Sequence, residues 1–312
     1  MATRTSQIPN LITPGLRKVY FSTLKDVPQE ARQLFNFLPA RPGKNSGLNY
    51  FDDARVASLG TWAAKPQGQA IEYDDLMDDT TVRYTPYVYG LGFRATEEAR
   101  EDDLHDVIKN MNKELAYGGM NMFEVQCFRI LNSGFGTTGG GRGLTVAGFN
   151  SEALFSTSHA LVRGGTYNNR STTDLDLSVT AIEDALIIMA NNVNDSSMPM
   201  PLKPTTIVHS PNLRFIAREI ADSELMPYTG TNEVNPLRAE GLKYMEVHYL
   251  TDSDSWFLLT AKQFHDLNVW VRRSFSYEDS YDFDTGDFKI RGTFRIAQGH
   301  GAWQGTFGSQ GV

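Results

Sequence analysis

The chain has 312 residues, a formal charge of −8, and 40% hydrophobic against 21% charged residues. That length buries a substantial core, as one large domain or two smaller ones, and the acidic balance argues against a protein built to grip nucleic-acid backbone, which needs clustered cations. One cysteine, Cys127, excludes an intrachain disulfide and a Cys-rich zinc site. The longest purely apolar run, residues 185–190, is too short to span a bilayer, and the polar start lacks the apolar core of a signal peptide, so a cytoplasmic location is expected.

Residues 1–45 hold scattered Pro and Gly with one short amphipathic patch at 31–38, and read as an arm that lies on something else. From 50 to 92 the character is β, with Thr81-Val82-Arg83-Tyr84 and Tyr87-Val88-Tyr89 rich in β-branched and aromatic residues. Inside that segment "LGTWAAKPQGQAIEYDD" is turn-rich and predicts a long protruding excursion, a kind of loop that usually serves function or contact. Thr96 is a helix cap, with Glu97, Glu98, Glu101, Asp102 and Asp103 in the first turns where the dipole favours anions. Leu104, Ile108, Met111, Leu115, Gly118, Met122 and Val125 then recur every three or four residues. They predict one continuous helix that stops near Asn132-Ser133-Gly134. Gly118 and Gly119 cost about 1 kcal/mol each against Ala, which calls for a close neighbour or a bend.

Residues 178–192 form an amphipathic pattern with Ile182, Ala185, Leu186 and Met189 on one face. A strand is predicted at 205–208, followed by a helix opened by Pro211. Strands at 244–250 and 256–260 are joined by the turn Thr251-Asp252-Ser253-Asp254. Near the end Phe288, Ile290, Gly292, Phe294 and Ile296 alternate with Lys289, Arg291, Thr293 and Arg295, giving one buried and one cationic face.

Three stretches invite chemistry. "GFGTTGGGRG" fits G-x-G-x-x-G through Gly134, Gly136 and Gly139, but a helix precedes it where a dinucleotide site needs a strand, and no G-K-[ST] follows. The glycines are better read as a helix stop in the left-handed conformation. "FSTSHA" offers Ser156, Ser158 and His159, yet neighbours in an extended segment point to opposite faces, and no G-x-S-x-G elbow exists. The six histidines are dispersed without an H-E-x-x-H pair. "DFDTGD" places its glycine one position early for a calcium loop and has Thr293 where a bidentate Glu is required, so a hairpin turn with flanking acids is expected. No catalytic, cofactor or metal residue is assigned.

The joint order of "AIEYDD", "RYTPYVYGLGFRATEEAREDD", "ALFSTSHALVRGGTYNN", "TTIVHSPNLRFIAREI", "EGLKYMEVHYLTDSDSWFLLT" and "SYDFDTGDFKIRGTFRIAQG" resembles tailed-bacteriophage major capsid proteins of the Hong Kong phage (Johnson) type. The ending "GHGAWQGTFGSQG" is similar to Mu-like head subunits. The resemblance implies an α+β fold with an N-terminal arm (1–45), an extended β loop (46–92), a peripheral domain with a long spine helix (93–143), an α/β axial domain (144–260) and a return to the peripheral domain (261–312). It implies a non-enzymatic subunit that self-assembles into hexamers and pentamers, forming an icosahedral head around double-stranded DNA that it encloses without sequence-specific binding.

The implied partners are further copies of the chain, a portal, a separate scaffolding protein and decoration proteins, with no cofactor and no membrane. The implied location is the virion, after assembly in the host bacterial cytoplasm. Trp62 and Lys65, in the extended loop, become candidate subunit-contact residues, and Gly134, Gly136 and Gly139 a candidate hinge between domains. An acidic shell wall would let packaged DNA slide without adhering. The alternatives are an encapsulin-type compartment with the same fold and, from another class, a soluble hydrolase using Ser158 and His159.

Overall fold

The computed structural model describes residues 9–39, 49–56, 58–71, 73–75, 77–102, 106–138, 141–226 and 234–311. The N-terminal part carries α1 (Pro9–Asp26), α2 (Ala31–Leu34) and β1 (Asn36–Pro39), then β2 (Phe51–Val56), β3 (Asp78–Tyr84) and β4 (Tyr87–Ala95). Two helices follow, α3 (Glu97–Glu101) and α4 (Val107–Asn132). The middle holds β5 (Leu144–Thr145), β6 (His159–Ala160), β7 (Thr166–Tyr167), α5 (Val179–Ala190), β8 (Pro204–His209), α6 (Arg214–Asp222), α7 (Pro236–Glu240), β9 (Lys243–Glu246) and β10 (Trp256–Thr260). The chain ends with β11 (Leu267–Tyr281), β12 (Phe288–His300) and β13 (Thr306–Ser309).

Two sheets organise these elements. The first is five-stranded, in the order β1-β11-β12-β4, with β5 also joined to β12. The alternation read at 288–296 is its centre: Phe288, Ile290, Phe294 and Ile296 are buried against α1 and α4, which supply Leu16, Tyr20, Leu115, Met120, Phe123 and Phe128. The opposite face of the hairpin is tied by exposed pairs, Lys289 to Asp282 at 2.6 Å and Arg291 to Glu278, each worth only about 0.2–1 kcal/mol. The second sheet runs β13-β10-β8-β9. It packs Ile207, Trp256, Leu258 and Phe307 against Ile182, Ala185 and Met189 of α5 and Ala217 and Ile220 of α6. Ser178 caps α5 by accepting from Ala181 N–H at 3.2 Å.

Several expectations need correcting. The helix from Thr96 is not continuous: α3 ends at Glu101, and α4 starts after Asp106, which is left-handed at φ 55°. The like-charged pair Glu98–Asp102 at i,i+4 opposes propagation, whereas Thr96 does cap, its Oγ1 accepting from Ala99 N–H; Leu104 lies outside the described residues. The strands at 243–246 and 256–260 are not hairpin partners, because β8 sits between them, parallel to β9 and antiparallel to β10. Residues 9–39 are part of the main core: α1 contributes Leu16, Tyr20 and Leu24, and β1 pairs parallel with β11. The last strand, β13, belongs to the second sheet, not with the rest of 261–312 in the first.

Gly134 is absent from the left-handed glycines, which among the described residues of this loop are Gly141 and Gly143. Its reason for being glycine is space: a Cβ there would stand 2.8 Å from the Phe155 ring. The close neighbour expected of the α4 glycines exists at Gly119, where a Cβ would stand 3.4 Å from the Phe275 ring, while Gly118 faces open space.

Candidate contact surfaces

The excursion between β2 and β3 is held at its root and left free at its tip. Asp52 and Arg83 join the two strands through a bidentate pair at 2.7 and 3.0 Å. Ser58 is fastened to the second-sheet side of the molecule: its Oγ accepts from Asn194 Nδ2 at 2.9 Å, and its carbonyl accepts from Ser196 Oγ. Asp74 takes Gly60 N–H at 2.7 Å and both guanidinium nitrogens of Arg163, at 2.8 and 3.0 Å. The guanidinium holds the Asp74 carboxyl below the usual carboxylate range.

Beyond these ties, every residue from 61 to 71 is exposed. Trp62 is 100% exposed and Tyr73 94%, with Ile71 and Leu59 more than half exposed. A folded chain gains nothing from a tryptophan standing wholly in water. Large aromatic side chains are the ones that dominate protein interfaces when a partner covers them. Lys65 shares the same exposed tip. The two candidate contact residues therefore lie together on a projection that its own chain does not cover.

The glycine exit lies elsewhere. Gly134 follows α4 directly and its carbonyl accepts from Phe155 N–H at 2.8 Å, so it is a packed joint between α4 and the segment leading to the second sheet. Gly136 is exposed, with only Thr138 O within 4 Å of its Cβ position. Gly139 lies outside the described residues.

The serine–histidine reading fails on geometry. Both ring nitrogens of His159 are engaged, Nδ1 with Glu152 at 2.7 Å and Nε2 with Asn169 Oδ1 at 2.9 Å, and the ring stacks on Trp303 with centroids 4.4 Å apart. Burial holds His159 below its ordinary pKa. It is a structural clasp for the returning C-terminal segment, and with both ring nitrogens engaged it is not the base of Ser158, which is exposed just before β6. His300 and His265, both buried, are pushed down to about 4 by burial. Among the described residues no group of three or more His, Cys, Asp or Glu is placed to hold a metal, and no described helix is long and apolar enough to cross a membrane.

Two features escaped sequence reasoning. Phe283, in the turn between β11 and β12, is 100% exposed, and its position between Asp282 and Asp284 in a predicted turn was the available signal. Glu124, on α4, is wholly buried and its Oε2 accepts from Ala31 N–H at 2.7 Å, while Oε1 has no partner among the described residues. Burial pushes its carboxyl up to about 7. A lone glutamate inside an amphipathic stripe gives no hint of which backbone donor it will meet.

Comparison with known proteins sets this architecture in a family. A family model described as phage capsid protein matches residues 79–306. None of the curated proteins matches the sequence. Among solved structures, the mature capsid of bacteriophage PhiM1 is similar at TM-score 0.58 and 12% identity, covering 92% of this chain and 88% of that one. The capsid of a native GTA particle gives TM-score 0.59 at 11% identity, covering 92% of each. A virus-like particle from Pyrococcus furiosus gives 0.52 at 9%, covering 95% and 98%. At such identities these likenesses establish the fold, while the family match extends over most of the sequence. The chain belongs to the phage capsid protein family and is a major capsid subunit of the Hong Kong phage-type fold.

Proposed function

We propose that this capsid subunit assembles into hexamers and pentamers that tile a closed icosahedral head around double-stranded phage DNA. The observation that carries the reading is the uncovered tip at 61–71, with Trp62 fully in water and Lys65 beside it. In a shell each copy covers the projection of its neighbour, which removes about 1.5–3 kcal/mol worth of exposed aromatic surface per buried large side chain. Trp62 and Lys65 are then seam residues. The loop (46–92) serves contacts between subunits through its 61–71 tip; residues 9–39 of the arm (1–45), strand β4, and residues 93–143 and 261–300 form the peripheral unit around α4, and residues 144–260 with β13 form the axial unit. The glycine exit is the joint between the two units, with Gly136 and Gly139 its freer positions and Gly134 its packed one.

Further partners follow from the same reading: a portal, a separate scaffolding protein and decoration proteins, with the shell assembled in the host cytoplasm and ending in the virion, without a membrane or a catalytic step. Net negative charge lets the inner wall pass DNA without holding it. Expression of the chain followed by electron microscopy tests the reading. Shells, rings or sheets are expected, and a small monomer at all concentrations would overturn it. Particles that enclose a protein cargo instead of DNA when isolated from their native cell would favour the compartment alternative.

A further inference from the structure

A groove of about 680 Å³ lies between α1, α4 and the edge of the five-stranded sheet. Phe21, Phe35, Phe37, Met120, Phe123 and Phe275 make it apolar, and Lys25, Arg32, Lys262 and Arg273 rim it. No carboxylate lines the groove, and none of these four cations has an ion pair among the described residues. The acids next to α2 are already engaged, Glu30 by His248 at 2.7 Å and Glu124 by Ala31 N–H. In a chain of net charge −8, four cations without an ion pair among the described residues, of which Lys262 donates to the Arg32 carbonyl, stand around an aromatic floor and are the complement of an apolar side chain flanked by acids.

That complement stands at the far end of the β11–β12 hairpin. Phe283 is completely exposed between Asp282 and Asp284. Asp282 is held by Lys289, but Asp279, Asp284 and Asp287 have no ion pair among the described residues. The Glu97 side chain adds a further acid beside Gly286. The knob does not reach its own groove: from Arg273 to Phe283 the strand runs roughly 30 Å at about 3.3 Å per residue.

We propose that the β11–β12 turn of one copy seats Phe283 in the α1/α4 groove of a second copy, placing Asp284 and its neighbouring acids among Lys25, Arg32 and Arg273. The occupant is a second copy because knob and groove are matched in apolar character and charge on one chain, which the shell supplies in many copies; to that extent the inference rests on the shell reading. The contact is heterologous: every copy offers one knob and one groove, so pairing leaves both ends open to further copies. A floor of six large apolar side chains suits a phenyl ring better than phosphate backbone, which sets nucleic acid aside as the occupant.

Two single-cysteine additions test the docking, Asp284→Cys on one population and Lys25→Cys on another, since the native Cys127 is buried and does not compete. Assembled together and oxidised with copper phenanthroline, the mixture is expected to give disulfide-linked dimers that neither population gives alone. Asp284→Cys linking to itself, or particles of the mixture with no cross-link, would overturn the docking. So would a Lys25→Cys thiol shielded from maleimide until nuclease is added, which would put nucleic acid in the groove.

A second arm uses charge. Asp284→Lys and Lys25→Glu are each expected to weaken the pair contact, and together to restore it. Phe283→Ala is expected to weaken the contact by at least about tenfold. Failure of these arms with intact wild-type particles sinks only this contact. Absence of wild-type particles sinks the shell reading instead.

Discussion

The consecutive strands β3 and β4 belong to different sheets, and the regions they lead to live under different physics. β4 is stitched along nine residues to β12 and lies over α4, in a core where Phe123, Phe128 and Phe294 are buried. The excursion that leads into β3 leaves every residue from 61 to 71 in water and is tied at its base, where Asp74 meets Arg163 and Gly60 and Ser58 meets Asn194 and Ser196. The first region has its stability inside the subunit. The second has side chains whose apolar surface is compensated only by another molecule. A capsid subunit therefore separates what folds it from what joins it, and substitutions should separate the same way.

The largest expected effect is at the meeting point of the two sheets. Phe155 packs on Phe135 and Phe257 with centroids 4.9 and 5.2 Å away and fills the space left by Gly134 and Gly308. Phe155→Ala is expected to lower subunit stability by about 3–5 kcal/mol in denaturant titration. A loss below about 1 kcal/mol would mean the joint is soft and that the folding core stops at the first sheet.

Glu124 sharpens the comparison through pH. Its carboxyl is raised from 4.5 in the unfolded chain to about 7 in the fold, so the folded state binds the proton more tightly. The stability this gives is fully present below about pH 4.5 and is lost as pH rises through about 7. Glu124→Gln keeps an acceptor for Ala31 N–H, removes this fall, and is expected to be the more stable form above pH 7 by on the order of 2–3 kcal/mol. Melting curves at pH 5 and pH 8 check it, and equal pH slopes for both proteins would contradict it.

Smaller effects come next. Ser178→Ala removes the cap of α5 and should cost about 1 kcal/mol, read as lower amide-exchange protection in the first turn of that helix. At the bottom of the scale, Trp62→Ala should change subunit stability by less than about 0.5 kcal/mol while impairing particle formation seen by electron microscopy. A destabilisation of several kcal/mol would place Trp62 in the fold and erase the contrast.

Much of this contrast was legible in the sequence, and the remainder was hidden for identifiable reasons. The β12 alternation, the α5 stripe and most of α4 are written as periodicities whose apolar face meets one partner layer. The excursion announces itself by turn residues around Trp62. Helix α1 was missed because Pro14 and Gly15 interrupt it as breakers, although Leu16, Tyr20 and Leu24 keep a helical spacing. The break before α4 depends on repulsion between acids that also suit a helix start, so one composition supports both readings. Gly134 shows the same limit: its sequence context fits a left-handed stop, and only the position of Phe155, brought in from further along the chain, reveals a packing role. Contact surfaces were the least legible, since the exposure of Phe283 and the groove between α1 and α4 arise from tertiary placement.

The central claim is that the 61–71 tip joins subunits and does not fold them. Replacing residues 61–71 by a Gly/Ser segment of equal length, and measuring thermal unfolding and particle formation on the same preparation, tests it most directly. The expected result is an unchanged melting temperature for the subunit with no closed shells. Normal shells, or a subunit that melts well below wild type, would contradict it.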